Sequence, residues 1–464
     1  MANSTILFDP ELLSRYDRPG PRYTSYPTAP QFRPDFGETQ LGEAAALTNG
    51  DPIPRPLSIY VHVPFCTSPC FYCGCNRIIT RDKARGEAYL TRLYREIGML
   101  SKLFDRDRDV VQLHLGGGTP NFLAAEQIAE VVDVIRRHFA FADRSRRECS
   151  IELDPRFVTP DDIRVLARAG FNRASLGVQD FNPAVQKAVN RIQSVEETLA
   201  IIEACREHGF RSVNLDLIYG LPLQTLDGFD RTLDTVLQVR PDRLAVYSYA
   251  HLPNLFRPQQ QIRAEDLPSP EVKLGLLQHA IERLGQAGYV YIGMDHFALP
   301  EDDLAQAKAR GDLHRNFMGY TTCADSDLIG AGVSAISHIG ASFSQNPRDL
   351  PSWERAIDEG RLPVWRGMNL NNDDVIRADV IQQLMCLGEI DIPQTERRHV
   401  LDFAEYFAHS LQQLRLLEGD GLVELSSSAI RATPRGRLLL RVLAACFDRY
   451  LAPQAEPTQF SRTV

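Results

Sequence analysis

Four of the nine cysteines lie within ten positions of "HVPFCTSPCFYCGCNR" (62–77), where Cys66, Cys70, Cys73 and Cys75 are spaced C-x3-C-x2-C-x-C. Soft thiolates at this short spacing favour an iron–sulfur cluster. Structural zinc usually takes two separated C-x2-C pairs, or Cys with His, and is the weaker alternative. A redox pair of Cys70 and Cys73 would leave Cys66 unexplained. Three local thiolates would leave one iron of a [4Fe–4S] cluster open to a small molecule.

The chain is a globular protein by composition, with 464 residues, 44% hydrophobic and 24% charged, and a net charge of −9. That charge argues against nucleic-acid or membrane-surface binding through bulk electrostatics. With no signal-like N-terminal stretch and no 18-residue apolar run, we expect a cytoplasmic protein whose thiols stay reduced. The remaining cysteines are expected to be small buried hydrophobic residues, namely Cys149, Cys205, Cys323, Cys386 and Cys446.

Short apolar runs alternate with amphipathic segments between residues 57 and 287. The predicted strands are 57–63, 110–116, 150–154, 173–178, 213–219 and 243–250. The predicted helices are 85–104, 123–140, 160–169, 195–208, 226–239 and 270–287. This alternation predicts a parallel sheet with right-handed crossovers, in the form of an open (β/α)6 partial TIM-type barrel of the α/β class.

The rest of the chain divides by composition. Residues 1–55 are predicted to be an N-terminal arm and 56–300 the catalytic barrel domain. Residues 301–370, rich in Gly and Ser, are predicted to be an irregular connection that contributes to the active site. Residues 371–464 are predicted to be a mostly helical C-terminal domain with a wing-like hairpin within 421–443.

Polar and glycine residues follow the predicted strands, where barrel enzymes place their active sites. They include "GGGTP" (116–120), Glu152, Gln179 and Asp216. Taken singly, each also has an ordinary structural explanation, and Asp216 requires a partner if it is buried. These residues and the cysteine loop all follow predicted strands, so they should lie at the same edge of the sheet. We therefore expect them to form one site there.

The loop, with Tyr72 before its third cysteine, resembles the radical S-adenosylmethionine (SAM) superfamily. The wider chain resembles the oxygen-independent coproporphyrinogen III oxidase family over nearly its whole length. The matching stretches include "GPRYTSYPTAPQF" (20–32), "LGGGTPNFL" (115–123), "IELDPR" (151–156), "SLGVQDFN" (175–182), "NLDLIYGLP" (214–222), "HRNFMGYTT" (314–322), "SDLIGAGVSAIS" (326–337) and "QFSR" (459–462).

The resemblance implies that Cys66, Cys70 and Cys73 hold a [4Fe–4S] cluster whose open iron binds SAM. One electron from an unidentified low-potential donor would cleave SAM to methionine and a 5′-deoxyadenosyl radical. The radical would abstract a hydrogen from a propionate side chain, and loss of CO2 and an electron would leave a vinyl group. Two such reactions convert coproporphyrinogen III to protoporphyrinogen IX. A monomer is expected.

The resemblance also implies roles for individual residues. The first SAM would contact Tyr60, Gly117, Glu152 and Ile336. A second SAM would contact Tyr72, Gly118, Thr119, Gln179, Arg191, Asp216 and Ala250. Cys75, His62 and Tyr60 are predicted to take part in catalysis, Cys75 as a non-ligand near the substrate. His62 is equally compatible with a structural role.

Two features remain open at this point. The arm at 20–32, with Arg22, Tyr23 and Tyr26, would cover the barrel mouth, or it is a tail packed on the domain. Met318 and Cys323 depart from the pattern of the family, which leaves the polar surroundings of the substrate open.

A heme chaperone of the same superfamily is the alternative function. It shares the three-cysteine motif but typically lacks the fourth thiol, the tyrosine-rich arm and the "HRNF-x-GYTT" stretch. All three are present here. The chaperone's His-Asn-x-x-Tyr-Trp motif is absent, since neither Trp353 nor Trp365 lies in such a sequence.

Overall fold

The computed structural model describes residues 6–451, which form two compact units. The barrel unit comprises 32–280 and 325–369. The terminal unit comprises 6–31, 281–324 and 370–451. These units cross the predicted domain boundaries, because the arm divides after Gln31 and residues 281–300 belong to the terminal unit. The stretch "QFSR" (459–462) lies outside the described residues.

The barrel unit contains all six predicted strands as parallel neighbours. They are β1 (Leu57–Val63), β2 (Val110–Gly117), β3 (Glu148–Leu153), β4 (Arg173–Gln179), β5 (Ser212–Tyr219) and β6 (Arg243–Ser248). The helices between them are α1 (Ala84–Leu100), α2 (Ala125–His138), α3 (Pro160–Ala169), α4 (Val195–Glu207) and α5 (Leu226–Val239), and α6 (Pro270–Gln286) follows β6. The predicted partial barrel is confirmed.

Local sequence signals define the helix ends. The Thr159 hydroxyl accepts a hydrogen bond from the Asp162 amide at 3.2 Å, and Pro160 opens α3. Gly170 ends this helix in the left-handed conformation, with φ of 108°. The side chains of Ser194 and Glu197 form a capping box at the start of α4. Capping of this kind supplies partners for the backbone groups left unpaired at helix ends.

Residues 327–369 correct the prediction of an irregular connection. Strand β7 (Asp327–Ala331) pairs in parallel with β1, on the side opposite β2. Strands β8 (Ile336–Ile339), β9 (Ser342–Gln345) and β10 (Arg366–Asn369) then extend the sheet antiparallel. Helix α7 (Leu350–Asp358) lies between β9 and β10. The glycine and serine content conceals these strands, although Gly330 serves a packing purpose, since a Cβ there would lie 2.6 Å from the Ile336 carbonyl oxygen.

The inner face of the barrel sheet is polar. Alternate residues of β1, namely Ser58, Tyr60 and His62, share one face, and their neighbours Ile59 and Val61 are buried on the other. Across the sheet, Tyr60 lies opposite His114, His114 opposite Ser150, and Glu152 opposite Ser175. A closed TIM barrel fills its interior with branched apolar side chains. A polar interior suits a barrel that receives a polar ligand.

The terminal unit is mostly helical with short strands, as predicted for the C-terminal residues. Its helices are Pro10–Tyr16, Asp303–Arg310, Asn372–Leu387, Ile392–His399, Phe403–Tyr406, Ala408–Gly419 and Leu440–Ala445. Its strands are Val290–Gly293, His296–Ala298, His314–Asn316, Gly319–Thr321, Glu389–Asp391, Val423–Leu425 and Ala429–Ala432. The last two pair as the predicted wing-like hairpin. Within residues 6–451, no helix combines the length and apolar character that crossing a bilayer takes.

Candidate active site

The cysteine loop leaves the carboxyl end of β1 and is closed at its base by a short parallel pair, Phe65–Cys66 with Ile78–Ile79. Inside this loop, Arg77 donates hydrogen bonds to three backbone carbonyls: those of Cys73 at 3.1 Å, Cys70 at 3.2 Å and Cys75 at 3.4 Å. A single planar guanidinium therefore fixes the spacing of three of the four cysteines.

The four thiols differ in exposure. Cys66 and Cys70 are buried, Cys73 is half-buried and Cys75 is exposed. Burial raises the pKa of Cys66 to about 11, and the Thr119 hydroxyl lies 3.3 Å from its Sγ. The hydrogen bond with Cys75 lowers the pKa of Cys73 to about 6, with Arg77 acting in the same direction. Cys73 is thus held close to the thiolate form that binds metals.

The surroundings of the loop suit an iron–sulfur cluster. A [4Fe–4S] cluster attaches each thiolate to a different iron, so its ligands need not converge. N–H donors already point at one thiol, because Arg191 and Arg156 lie 3.4 Å and 3.8 Å from the Cys70 Sγ. Such donors suit an anionic thiolate cluster.

Asp154 links these two arginines to each other. Its carboxylate accepts hydrogen bonds from Arg156 at 2.7 and 2.9 Å and from Arg191 at 3.0 Å. Asp154 and Arg191 are buried, and Arg156 is partly buried. Burial alone would raise the pKa of Asp154, but Arg191 and Arg156 outweigh it and the pKa is lowered. The bidentate pair and its second cation hold a fixed positive charge beside Cys70.

Tyr60 and His62 form a relay that ends on the cysteine loop. The Nε2 of His62 lies 3.0 Å from the Asn76 carbonyl oxygen and therefore donates to it. Its Nδ1 is then the acceptor for the Tyr60 hydroxyl at 3.0 Å. Burial lowers the pKa of His62, which favours this neutral tautomer. Both ring nitrogens have protein partners, so His62 orients Tyr60 and the loop.

Glu152 lies where β2 and β3 meet. One carboxylate oxygen accepts from His114 at 3.2 Å and the other from the Gly117 amide at 3.2 Å. Burial would raise the pKa of Glu152, but the His114 hydrogen bond outweighs it and the pKa is lowered. His114 also stacks on Tyr60, with ring centroids 5.8 Å apart. After Gly117, the Gly118 amide donates a hydrogen bond to the Val63 carbonyl and the Thr119 amide donates one to the Phe65 carbonyl.

Asp216 and Gln179 lie on the neighbouring strands. Asp216 accepts hydrogen bonds from Asn214 at 2.8 Å and Ser175 at 3.1 Å. Burial, with Glu152 as a second cause, raises its pKa to about 6. Gln179 ends β4 with a φ of 67°, at a shift in the register with β5. The outer nitrogen of Arg191 donates to the carbonyl of Gly177 at 2.6 Å in this same bulge.

Tyr72 and Ala250 are tied together by a residue that the sequence did not single out. The buried Gln259 donates to the carbonyl of Tyr72 at 2.9 Å and to that of Ala250 at 3.1 Å. Ile336 packs against Gly330, which lies opposite Tyr60 in the sheet. The barrel unit therefore holds all the residues predicted for the site at the carboxyl ends of its strands and in the loops after them.

Sequence reasoning missed several side chains that orient this site: Arg77, His114, Arg156 and Gln259. Strand parity could have found His114, because it lies opposite Tyr60 on the inner face. Two nitrogens of Arg191, a predicted contact of the second SAM, already donate to Asp154, Cys70 and Gly177. The individual contacts to cluster and SAM stay predictions.

Two family models match the chain: the Radical SAM superfamily over residues 60–236 and the HemN C-terminal domain over residues 370–439. An oxygen-independent coproporphyrinogen III oxidase from Pseudomonas aeruginosa is 49% identical over 460 residues, covering 99% of both chains. The Escherichia coli protein of that name is 48% identical over the full length of both. A solved structure of coproporphyrinogen III oxidase (HemN) from Escherichia coli, described as a radical SAM enzyme, matches with a TM-score of 0.91 and 47% identity, covering 96% of this chain and 100% of that one.

Proposed function

Because the chain belongs to the oxygen-independent coproporphyrinogen III oxidase family, we propose that it converts coproporphyrinogen III to protoporphyrinogen IX by oxidative decarboxylation of two propionate side chains. The observation that carries this proposal is the position of the three-thiol loop at the end of β1, beside Glu152 and the glycine turn of β2. The heme chaperone is not favoured, since the full-length relatives carry the name of the oxidase.

The chain's residues would divide the work in the following way. Cys66, Cys70 and Cys73 would hold a [4Fe–4S] cluster, which together with SAM supplies the radical that removes a hydrogen from the propionate. Glu152 and the Gly117 turn offer a carboxylate and a close backbone approach to a SAM ribose or ammonium group. Tyr60, oriented by His62, would orient the SAM that packs against it.

Several finer features belong to the same proposal. We propose two SAM molecules per chain, the second against Tyr72, Gly118, Thr119, Gln179, Arg191, Asp216 and Ala250. We also propose a cytoplasmic monomer that takes its electron from a low-potential donor. All nine cysteines are free thiols, which suits a reducing compartment.

An anaerobic assay tests the proposed reaction. The reconstituted protein is given coproporphyrinogen III, SAM and a strong reductant, and products are followed by mass spectrometry. We expect protoporphyrinogen IX together with 5′-deoxyadenosine and methionine, and none of them with Cys70→Ser. Deoxyadenosine without decarboxylation would keep the radical SAM chemistry and reject the substrate. Tight heme binding with neither product would support the chaperone.

A further inference from the structure

A buried arginine in the terminal unit lacks partners for part of its guanidinium. Arg315 lies in the hairpin His314–Asn316/Gly319–Thr321, directly opposite Tyr320, and its guanidinium carbon is 4.7 Å from the Tyr320 ring centroid. Its exposure is 5%, and among residues 6–451 its Nε and Nη1 atoms have no hydrogen-bond acceptor. Leaving buried charged donors unpaired is costly, so a missing acceptor is the expected explanation.

Two further arginines lie near Arg315. Arg441 is 6% exposed and donates to the backbone carbonyls of Pro21, at 2.9 Å, and Gly20. The next residue, Arg22, pairs with Asp295. Burial, followed by the charges of Arg22 and Arg315, lowers the pKa of Arg441 to about 10. The segment at 20–22 and the hairpin therefore bring three guanidinium groups within electrostatic range of one another.

We propose that Arg315, Arg22 and Arg441 form a carboxylate-binding site for the propionate groups of the tetrapyrrole substrate. The proposal rests on the proposed function, because coproporphyrinogen III carries four propionates. Arg315 supplies the unpaired N–H donors. Arg22, whose side chain is 35% exposed, meets the carboxylate from the solvent side. Arg441 is a positioning residue, since its hydrogen bonds to Gly20 and Pro21 hold Arg22 in place.

The site favours a substrate with several carboxylates over SAM, which has one. Arginine is the side chain best suited to carboxylate recognition, through charge-assisted and often paired hydrogen bonds. Asp295 neutralises one of the three positive charges of this site. Two substrate carboxylates would balance the other two. The test below separates the two sources of a carboxylate.

Binding of coproporphyrin III, the fluorescent oxidised form of the substrate, to the full-length protein tests the site. Fluorescence titration compares this tetra-acid with its tetramethyl ester, which has the same ring but no carboxylates. We expect Arg315→Gln to weaken tetra-acid binding about ten- to a hundredfold and to leave ester and SAM binding unchanged. Arg310→Gln is the matched control, because Arg310 lies in the same unit, is exposed and pairs with Asp312.

Equal weakening of acid and ester, or no change for either, would overturn the site. A selective loss of SAM binding would instead assign the site to the SAM carboxylate and equally reject the proposal. If Arg315→Gln does not fold, Arg22→Gln tests the same selectivity, because its side chain is partly exposed. These outcomes are independent of turnover: acid-selective binding without decarboxylation would keep the site and reject the reaction.

Discussion

Neutralising Asp154 should destabilise the chain strongly. Its carboxylate accepts three hydrogen bonds of 2.7–3.0 Å from Arg156 and Arg191, and it is buried together with Arg191. Asp154→Asn would leave the buried Arg191 and the partly buried Arg156 without this counter-charge, which costs about 3–5 kcal/mol of unfolding free energy. Urea unfolding of the cluster-free protein measures this loss as a lower midpoint at constant slope. Iron content after reconstitution should also fall, because both arginines reach Cys70.

The pH dependence and a control make this prediction specific. Because the pKa of Asp154 is lowered on folding, its contribution is present above the unfolded pKa of about 3.9 and is lost as the pH falls through the folded pKa. In Asp154→Asn, the loss of unfolding free energy at low pH that protonation of Asp154 causes should therefore be missing. Asp133→Asn is the control, since Asp133 is 61% exposed and 3.5 Å from Arg136, and should cost less than about 1 kcal/mol. A loss below about 1 kcal/mol for Asp154→Asn would refute the reasoning.

Three further predictions concern the same site. Cys73→Ser should abolish iron loading, whereas Cys75→Ser should keep the iron and lose turnover. Iron quantification and the anaerobic assay measure the two effects. Loss of iron from Cys75→Ser would show that Cys75 is a cluster ligand. Gly117→Ala should cost about 2–4 kcal/mol in urea unfolding, because φ is 117° and a Cβ would lie 2.7 Å from a histidine ring. Gly209→Ala is the control, because Gly209 has a φ of 78° but no atom within 4 Å of an added Cβ. It should show only the destabilisation that comes from the left-handed backbone conformation. Because the pKa of Asp216 is raised to about 6 on folding, the unfolding free energy should fall as the pH rises from about 4 to 6. Asp216→Asn should flatten that decline when urea unfolding is measured as a function of pH.

The barrel could be predicted because its signals are local. Each of the six strands is a run of apolar or β-branched residues, and the helices between them carry their own caps, such as Thr159 and Ser194. The location of the site was also predictable, since parallel strands bring their carboxyl ends to one edge of the sheet. The cysteine loop and Glu152 therefore meet where the sequence placed them.

The contacts that orient the site could not be predicted in the same way, because they join distant parts of the chain. Gln259 reaches the carbonyl of Tyr72 across 187 positions. Arg156 and Arg191 both meet Cys70, yet each looks like an ordinary charged residue in its own segment. Strand β7 escaped because glycine and serine mask a strand whose pairing partner, β1, lies far earlier in the chain.

The strands after residue 325 are part of the site's support, since one helix holds them together with β1. The Tyr89 hydroxyl of α1 donates to the His62 carbonyl at 2.6 Å. Two turns further along α1, the buried carboxylate of Glu96 accepts from the Gly332 amide at 2.8 Å and from the Trp353 indole at 3.1 Å. Burial raises the pKa of Glu96 to about 7, and the hydrogen bonds from Gly332, Asn346 and Trp353 act against that rise. Any change that releases the 332–353 segment from Glu96 therefore also loosens the helix that holds His62, and through His62 the base of the cysteine loop.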